Sequence, residues 1–383
     1  MGDVIIAGVG QVPVGEHWDF SLSNLSAQAI KAARQDAGGL KPQSVYIGNF
    51  LAFSASDQAN LGSLVVENSG LDGIEGVTVE AAEASGAGAF RMAYMAVASG
   101  FVETALVVGV EKYTDKSKAE MDAIIAQSMD ADYEAAQGLT TAAQAALLMQ
   151  RYCYEYQVPK GGFSAFAEIA HANGAANPNA MFRKAISREL YKRSMMICEP
   201  LNMFDKAPEA DGAAAVLLTQ AEYFKGKDHS VVSVTGSAIA TDTLAIHDRP
   251  EPLAFESAGV SVQRACRQAG ILPSDVDFFE LSDTYSIYAA LALEAAGFSP
   301  RGQSWQMALD GHFSSGGELP ILTMGGHKAR GFPLGASGVY QIVEAVLQLR
   351  GQAGENQIKK ARRALVQSLG GPASTAITHV LEV

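Results

Sequence analysis

The strongest constraint on this chain is a strand–helix order that runs through it twice. Residues 4–10 (VIIAGVG) are apolar, β-branched and closed by glycine, which reads as a buried strand; residues 231–236 take that place in a second pass. A helical pattern over 25–37 stops at Gly38-Gly39, and one over 255–269 stops at Gly270. A short strand at 45–50 is answered by 276–281, and one at 104–110 by 364–369. The strand at 77–81 runs into small residues and a helix over 87–99; its counterpart is a helix over 335–349 entered through glycines. A further strand at 213–218 precedes the second pass. Strands alternating with helices predict an α/β layered sandwich, and one order used twice predicts a duplicated fold.

Residues 115–205 break the pattern: they carry more charge and more aromatic side chains, and helical periodicity dominates at 142–156, 163–173 and 187–193. No Pro/Gly/Ser linker isolates them, so they read as an insertion or cap. The expected halves are 1–225, containing this insertion, and 226–383. Hydrophobic residues make up 48% of the 383 and charged ones 18%, enough apolar surface for a sizeable core. The net charge of −13 repels phosphate backbones and excludes general nucleic-acid binding. Cys153, Cys198 and Cys266 have no metal-ligand spacing, and an odd count argues against a disulfide framework. With no basic leader and no apolar run of the ~18 residues a membrane span needs, the expectation is a cytoplasmic protein that neither crosses nor sits on a membrane.

Four segments carry residue types suited to chemistry. In 79–90 (VEAAEASGAGAF) a strand ends, small residues turn sharply and a helix begins. The elbow residue, Glu83, stands beside free helix N–H groups, where anions are stabilised and nucleophiles are commonly placed; a plain helix-start carboxylate is the competing reading. The stretch 325–340 is glycine-rich and carries Lys328 and Arg330, as a ligand-approaching loop or as a tight packing turn. In 279–286 (FELSDTYS) Asp283 and Tyr285 pass from a strand end into a helix, with Ser282 or Asp283 equally suited to an N-cap. In 366–374 (VQSLGGPAS) the Gly370-Gly371 turn offers backbone N–H groups or is simply a turn.

Together these segments resemble the thiolase superfamily, in its sterol-carrier-protein-type and archaeal acetyl-CoA acetyltransferase branch. The resemblance rests on VIIAGVGQVPVGEHWD, EAAEASGAGAFRMAYMAVASG, VGVEKYTD, HANGAANPNAMFRKAIS, EPLNMFDKAPEADGAAAVLL, GGELPILTMGGHKARGFPLGASGVYQIVEA and SLGGPASTAITHVLEV, and covers essentially the whole chain. It implies the thiolase fold: a duplicated five-layered α-β-α-β-α sandwich with a loop domain inserted into the first half. It also implies acyl-CoA as substrate or ligand, no other cofactor and no metal. At the catalytic positions the sequence departs from the family. Glu83 stands where the family has cysteine in a pattern like A-C-A-S-G. Phe332 stands for the histidine of G-H-P-x-G-A-[ST]-G, within a segment that keeps Gly335 and Ser337. Ser282 stands for the histidine of H-D-x-F.

An acyl-enzyme thioester needs an activated sulfur, so ordinary thiolysis is expected to be absent. Two readings follow. One is a repurposed acyl-CoA carbon–carbon bond enzyme, aldolase-like or an atypical acyltransferase, with Glu83, Asp283 and Tyr285 as acid/base groups. Backbone N–H groups at Glu83 and at Gly370-Gly371 would hold an oxyanion. The other is a silent thiolase-like subunit, in which the Glu83 carboxylate imitates a bound anion while the chain scaffolds a cysteine-bearing paralogue. His171, with Asn177-Pro178, matches a family loop over the substrate, and a helix end is its plainer reading. His327 is a lone candidate base; Lys328 and Arg330 read as solvated cations or as contacts to a CoA phosphate. The resemblance implies a homodimer, or a heterodimer with a paralogue, built near the elbow helix, and an OB-fold/zinc-ribbon acyl-CoA-associated partner.

Overall fold

The computed structural model describes residues 3–224 and 230–383; His229 and the expected boundary at 225/226 lie outside the described residues. The strands are β1 (Val4–Gln11), β2 (Ser44–Gly48), β3 (Glu75–Val79), β4 (Thr104–Glu111), a small hairpin β5 (Met196–Cys198) and β6 (Leu201–Asn202), β7 (Gly212–Gln220), β8 (Val232–Thr241), β9 (Phe278–Glu280), β10 (Arg363–Gly370) and β11 (Thr375–Glu382). The helices are α1 (Leu22–Asp36), α2 (Ala52–Ala55), α3 (Leu61–Asn68), α4 (Ser85–Ala98), α5 (Lys118–Ile125), α6 (Thr141–Tyr156), α7 (Ser164–Ala176), α8 (Arg188–Arg193), α9 (Glu256–Ala269), α10 (Ser286–Ala295), α11 (Ser304–Leu309) and α12 (Ser337–Leu349).

Nine strands form one mixed sheet in the order β3-β2-β4-β7-β1-β8-β11-β10-β9. Read outward from its middle, β1-β7-β4-β2 on one side matches β8-β11-β10-β9 on the other, which is the duplication expected from the sequence. Only two residue pairs, Ile5 with Ser233 and Ile6 with Val232, join β1 to β8. A parallel bridge from Phe279 to Ile321 stands where β3 stands in the first wing.

The layers follow from which faces are apolar. Phe90, Ala93 and Val97 of α4 and Val339, Ile342 and Val346 of α12 share one core with inward residues from both wings, including Ile6, Val107, Val216, Val234 and Val366. Leu25, Ala29 and Ala33 of α1 cover the outer face of the first wing through Ala7, Leu106 and Leu217. Ala258 and Val262 of α9 cover the second, in a core that also takes in Met149, Tyr152 and Phe166 of the insertion. The result is α-β-α-β-α, with α4 and α12 in the middle. They pack closely: a Cβ on Gly338 would lie 2.6 Å from the Ala87 backbone nitrogen.

Three expectations are corrected. The strand expected at 276–281 shrinks to Phe278–Glu280, because residues 282–285 leave the sheet to reach the site. Neither Ser282 nor Asp283 caps α10: Tyr285 holds the N-cap position with no side-chain bond, and Asp283 is turned elsewhere. The final strand, β11, is absent from the sequence reading. It is buried on both faces, so it lacks the alternation that marks a half-exposed strand. Its polar Thr378 and His379 are matched inside by Ser261 and Ser237.

Candidate active site

The elbow after β3 is built by backbone strain and one serine. Ala82 sits at φ +50°, a left-handed conformation that residues with a Cβ seldom adopt. The Ser85 hydroxyl accepts from the Ala81 N–H at 2.9 Å and donates to the Ala82 carbonyl, closing the turn. Glu83 is thereby held at the entrance to α4, 8% exposed. Its Oε2 accepts the Gly371 N–H at 2.7 Å, so the turn after β10 reaches the elbow of the other half. Burial pushes the Glu83 carboxyl up, the Gly371 and Glu83 N–H groups pull it down, and the net shift is upward. Among the described residues no cation pairs with it.

Glu83 and Gly371 border a narrow cavity of about 30 Å³ together with Tyr113, Tyr285, Tyr288 and Phe332. The Tyr285 hydroxyl lies 3.1 Å from Thr141 Oγ1 of the insertion, and its ring meets Tyr288 edge-on at 5.1 Å. Burial raises the Tyr285 phenol, against the Thr141 hydrogen bond, and the Glu83 carboxylate raises it further; it keeps its proton at neutral pH. The Tyr113 hydroxyl donates to the Phe332 carbonyl at 2.8 Å, fixing the wall opposite the elbow.

Other sequence candidates lie outside this cavity. Asp283 is fully buried and accepts the backbone N–H groups of His327 and Lys328 at 2.6 and 3.4 Å, holding a π-helical turn at Gly326–Arg330. His327 lies behind Phe332, ring stacked on ring at 4.7 Å, with Nδ1 3.2 Å from Thr284 Oγ1. Burial, then Arg330 and Lys328, keep it neutral. Gly335 donates its N–H to Glu111 at 3.1 Å, and Ser337 starts α12 with its hydroxyl buried and unpartnered.

Lys328 and Arg330 are not solvated cations: both are engaged inside the protein, with Lys328 also bordering a larger cavity. Lys328 Nζ donates to the Asp205 carbonyl at 2.5 Å; Arg330 pairs with Glu344 at 2.8 Å and lies over the Tyr340 ring. Both are at most 1% exposed, because the π-helical turn points its side chains into the middle of the protein.

A second cavity of about 470 Å³ opens beside the first, lined by His171, Phe182, Ile197, Met203, Phe204 and Pro208 among others. Burial and the Lys328 charge lower His171 to about 4, so it is neutral. Lys206, Ala207 and Glu209 border both cavities. None of the three cysteines borders either, and burial lifts the Cys153 and Cys266 thiols to about 11. Among the described residues no group of three or more His, Cys, Asp or Glu is arranged to hold a metal ion.

Sequence reasoning missed Tyr113, Thr141, Lys206, Glu209 and Tyr288. Tyr288 follows Tyr285 at the i, i+3 spacing of one helix face, and Lys206 and Glu209 lie within a matched segment, FDKAPEADG. Those were the available signals.

Residues 4–222 match the family model described as the thiolase N-terminal domain, and residues 238–383 the model described as thiolase C-terminal domain-like. The chain is 36% identical over 382 residues to the acetyl-CoA acetyltransferase of Methanothermobacter thermautotrophicus, covering 99% of each. It is 28% identical over 365 residues to a steroid side-chain-cleaving aldolase of Thermomonospora curvata, covering 91% of each. A solved structure of an Ltp2-ChsH2(DUF35) aldolase superposes with a TM-score of 0.85 at 26% identity, over all of this chain and 98% of the other.

Proposed function

The chain belongs to the thiolase family, and from that premise we propose that it binds acyl-CoA thioesters and breaks or forms a carbon–carbon bond in them as an aldolase-type lyase. The observation that carries this reading is a buried carboxylate, Glu83, paired with no cation among the described residues, beside a backbone N–H donor and two tyrosines where a thiol would be needed for thiolysis. The likeness to a steroid side-chain-cleaving aldolase supports the same chemistry.

In the cleavage direction the substrate is a β-hydroxyacyl thioester. Glu83 takes the hydroxyl proton, the Cα–Cβ bond breaks, and the β-carbon leaves as an aldehyde or ketone. The electron pair passes to Cα and the thioester carbonyl as an enolate. Once protonated, Glu83 loosens its hold on the Gly371 N–H, which turns to the enolate oxygen. The proton then returns to Cα, so nothing external is consumed. Burial raises the Glu83 carboxyl and so strengthens it as a proton acceptor, and Tyr285, still protonated, donates a hydrogen bond to the departing oxygen. Glu83→Gln is expected to abolish cleavage of hydroxyacyl-CoA substrates while thioester binding survives. Unchanged turnover would remove the reading. No covalent acyl adduct is expected by intact mass after treatment with acetyl-CoA or acetoacetyl-CoA.

One observation favours a second reading, a silent subunit. The Glu83 carboxylate already occupies the Gly371 donor, and the cavity beside it has room for little more than a water molecule. The edge strand β3 and the α4 face beside it leave Val77, Met92 and Met95 exposed, which suits pairing with a second thiolase-like chain. The solved neighbour is an aldolase with a DUF35 partner, which supports a small acyl-CoA-associated protein as a further component. Purification from the native host separates the readings: a cysteine-bearing paralogue, with no turnover of its own by this chain, establishes the subunit.

A further inference from the structure

Resting on the acyl-CoA reading above, we propose that the Lys206–Glu209 ion pair is a gate that decides which acyl groups reach Glu83. The acyl portion of the thioester would lie in the neighbouring apolar groove beside His171. The two cavities are separated by one thin wall, since Lys206, Ala207 and Glu209 face both. The cavity at Glu83 measures about 30 Å³ and holds no acyl chain. The groove measures about 470 Å³, within the range of small-molecule sites. A ligand whose reacting carbon meets Glu83 must therefore store its bulk across that wall. The groove suits a hydrocarbon chain better than the amide-rich arm of CoA. Phe182, Ile197 and Met203 are 41, 40 and 46% exposed there with no apolar cover, and the lining is mostly apolar, with Lys184 and Lys328 among its polar members.

The wall is built to open by side chains alone. The Lys206 backbone bridges to Tyr285 and the Glu209 backbone to Phe332, so both main-chain positions are fixed to the walls of the Glu83 cavity. Lys206 Nζ pairs with Glu209 Oε1, and Lys118 Nζ approaches the same oxygen at 3.6 Å. Lys118 also pairs with Asp122, which lines the Glu83 cavity from α5. Burial raises the Glu209 carboxyl, but Lys206 and Lys118 outweigh it and leave it ionised at neutral pH. The Lys206 and Glu209 side chains are only 18% and 23% exposed, so parting the pair carries a cost that a ligand passing the wall must meet.

The test measures Kd of the full-length protein for CoA, acetyl-CoA, butyryl-CoA and octanoyl-CoA by calorimetry. Wild type is compared with Lys206→Ala/Glu209→Ala, with Lys206→Arg, and with Ile197→Glu, whose site is too exposed to threaten folding. The double alanine variant is expected to tighten octanoyl-CoA about tenfold, with CoA and acetyl-CoA unchanged. Lys206→Arg should behave as wild type, and Ile197→Glu should weaken octanoyl-CoA alone. A variant response that is the same for CoA and every thioester means the groove holds CoA itself, and no response means the wall is inert; either overturns the gate while the acyl-CoA reading stands. Wild type that binds none of these ligands overturns that reading, and the gate with it.

Discussion

The two middle-layer helices begin in matching places but serve different ends. At the start of α4, Glu83 borders a narrow cavity and its carboxylate meets a single backbone donor from another segment. At the start of α12, the segment from Gly326 to Ser337 is buried, and only the apolar Phe332 and Leu334 of it face the cavity at Glu83. Its strained Leu334 (φ +32°) is flanked by Tyr113 on the Phe332 carbonyl and Glu111 on the Gly335 N–H, and its cations are matched inside. Both segments look equally suited to chemistry as strings of letters. What separates them is spare acceptor capacity directed at a cavity, which marks a site, against buried polar groups turned into the protein, mostly matched there and with leftovers such as the Ser337 hydroxyl that do not line the cavity at Glu83, which marks a scaffold.

The largest expected effect breaks or upholds that contrast directly. Glu83→Gln should lower turnover of a hydroxyacyl-CoA by about 10²–10⁴-fold, the usual contribution of a general base, with little loss of stability. Asp283→Asn, by contrast, should act on the melting temperature and spare the chemistry, since Asp283 holds only backbone N–H groups of the second segment. Steady-state rates beside thermal melts read both. Equal losses of rate in the two variants would erase the distinction.

The fold was legible because its signal is periodic and long: apolar strands bounded by glycine, used twice, leave few alternatives. The elbow was legible because a strand, a run of small residues and a helix lie consecutively in sequence. What could not be read is what tertiary contact decides. Lys328 and Arg330 look like surface cations, and only the direction of a π-helical turn sends them inward. Thr141, Tyr113 and Glu209 come to Glu83 from three separate segments, with no spacing to connect them. Phe332 was placed by its motif, but its role as the plate separating His327 from the cavity depends on a ring stack that no sequence records.

The second segment gives the next effect in size. Arg330→Leu leaves Glu344 buried without its partner, and breaking a fully buried pair in this way costs about 3–5 kcal/mol. Urea unfolding should register the loss; a cost near zero would mean that water reaches the pair and that the segment is not sealed. A smaller effect tests how the first segment is seated. A Cβ on Gly48 would lie 2.4 Å from the Gly86 Cα, so Gly48→Ala must push α4 away from β2. Overpacking of this kind costs about 1–3 kcal/mol, and here it should also perturb the Glu83 site, read as weaker thioester binding.

The gentlest probe is pH, through Glu111, the buried carboxylate that ties the α12 segment to the first half. It accepts the N–H groups of Phe50, Leu51 and Gly335 and the Asn49 amide, between 2.9 and 3.1 Å. Burial nevertheless outweighs these donors and raises it from 4.5 to about 7. Between those two values the folded protein holds a proton that the unfolded chain has released. Stability contributed by this group is therefore present at the acid end and lost as pH rises through the window, and it levels off above about 7. Glu280, also raised to about 7 chiefly by burial, adds to the slope in the same direction. The urea midpoint should fall from the acid side of that window to the neutral side, and Glu111→Gln should flatten part of the fall. A Glu111→Gln variant whose slope across the window equals that of wild type would show that the four donors hold Glu111 ionised throughout. Glu111 would then be a fixed charge, in contrast to Glu83, which the proposed cleavage needs as a proton acceptor.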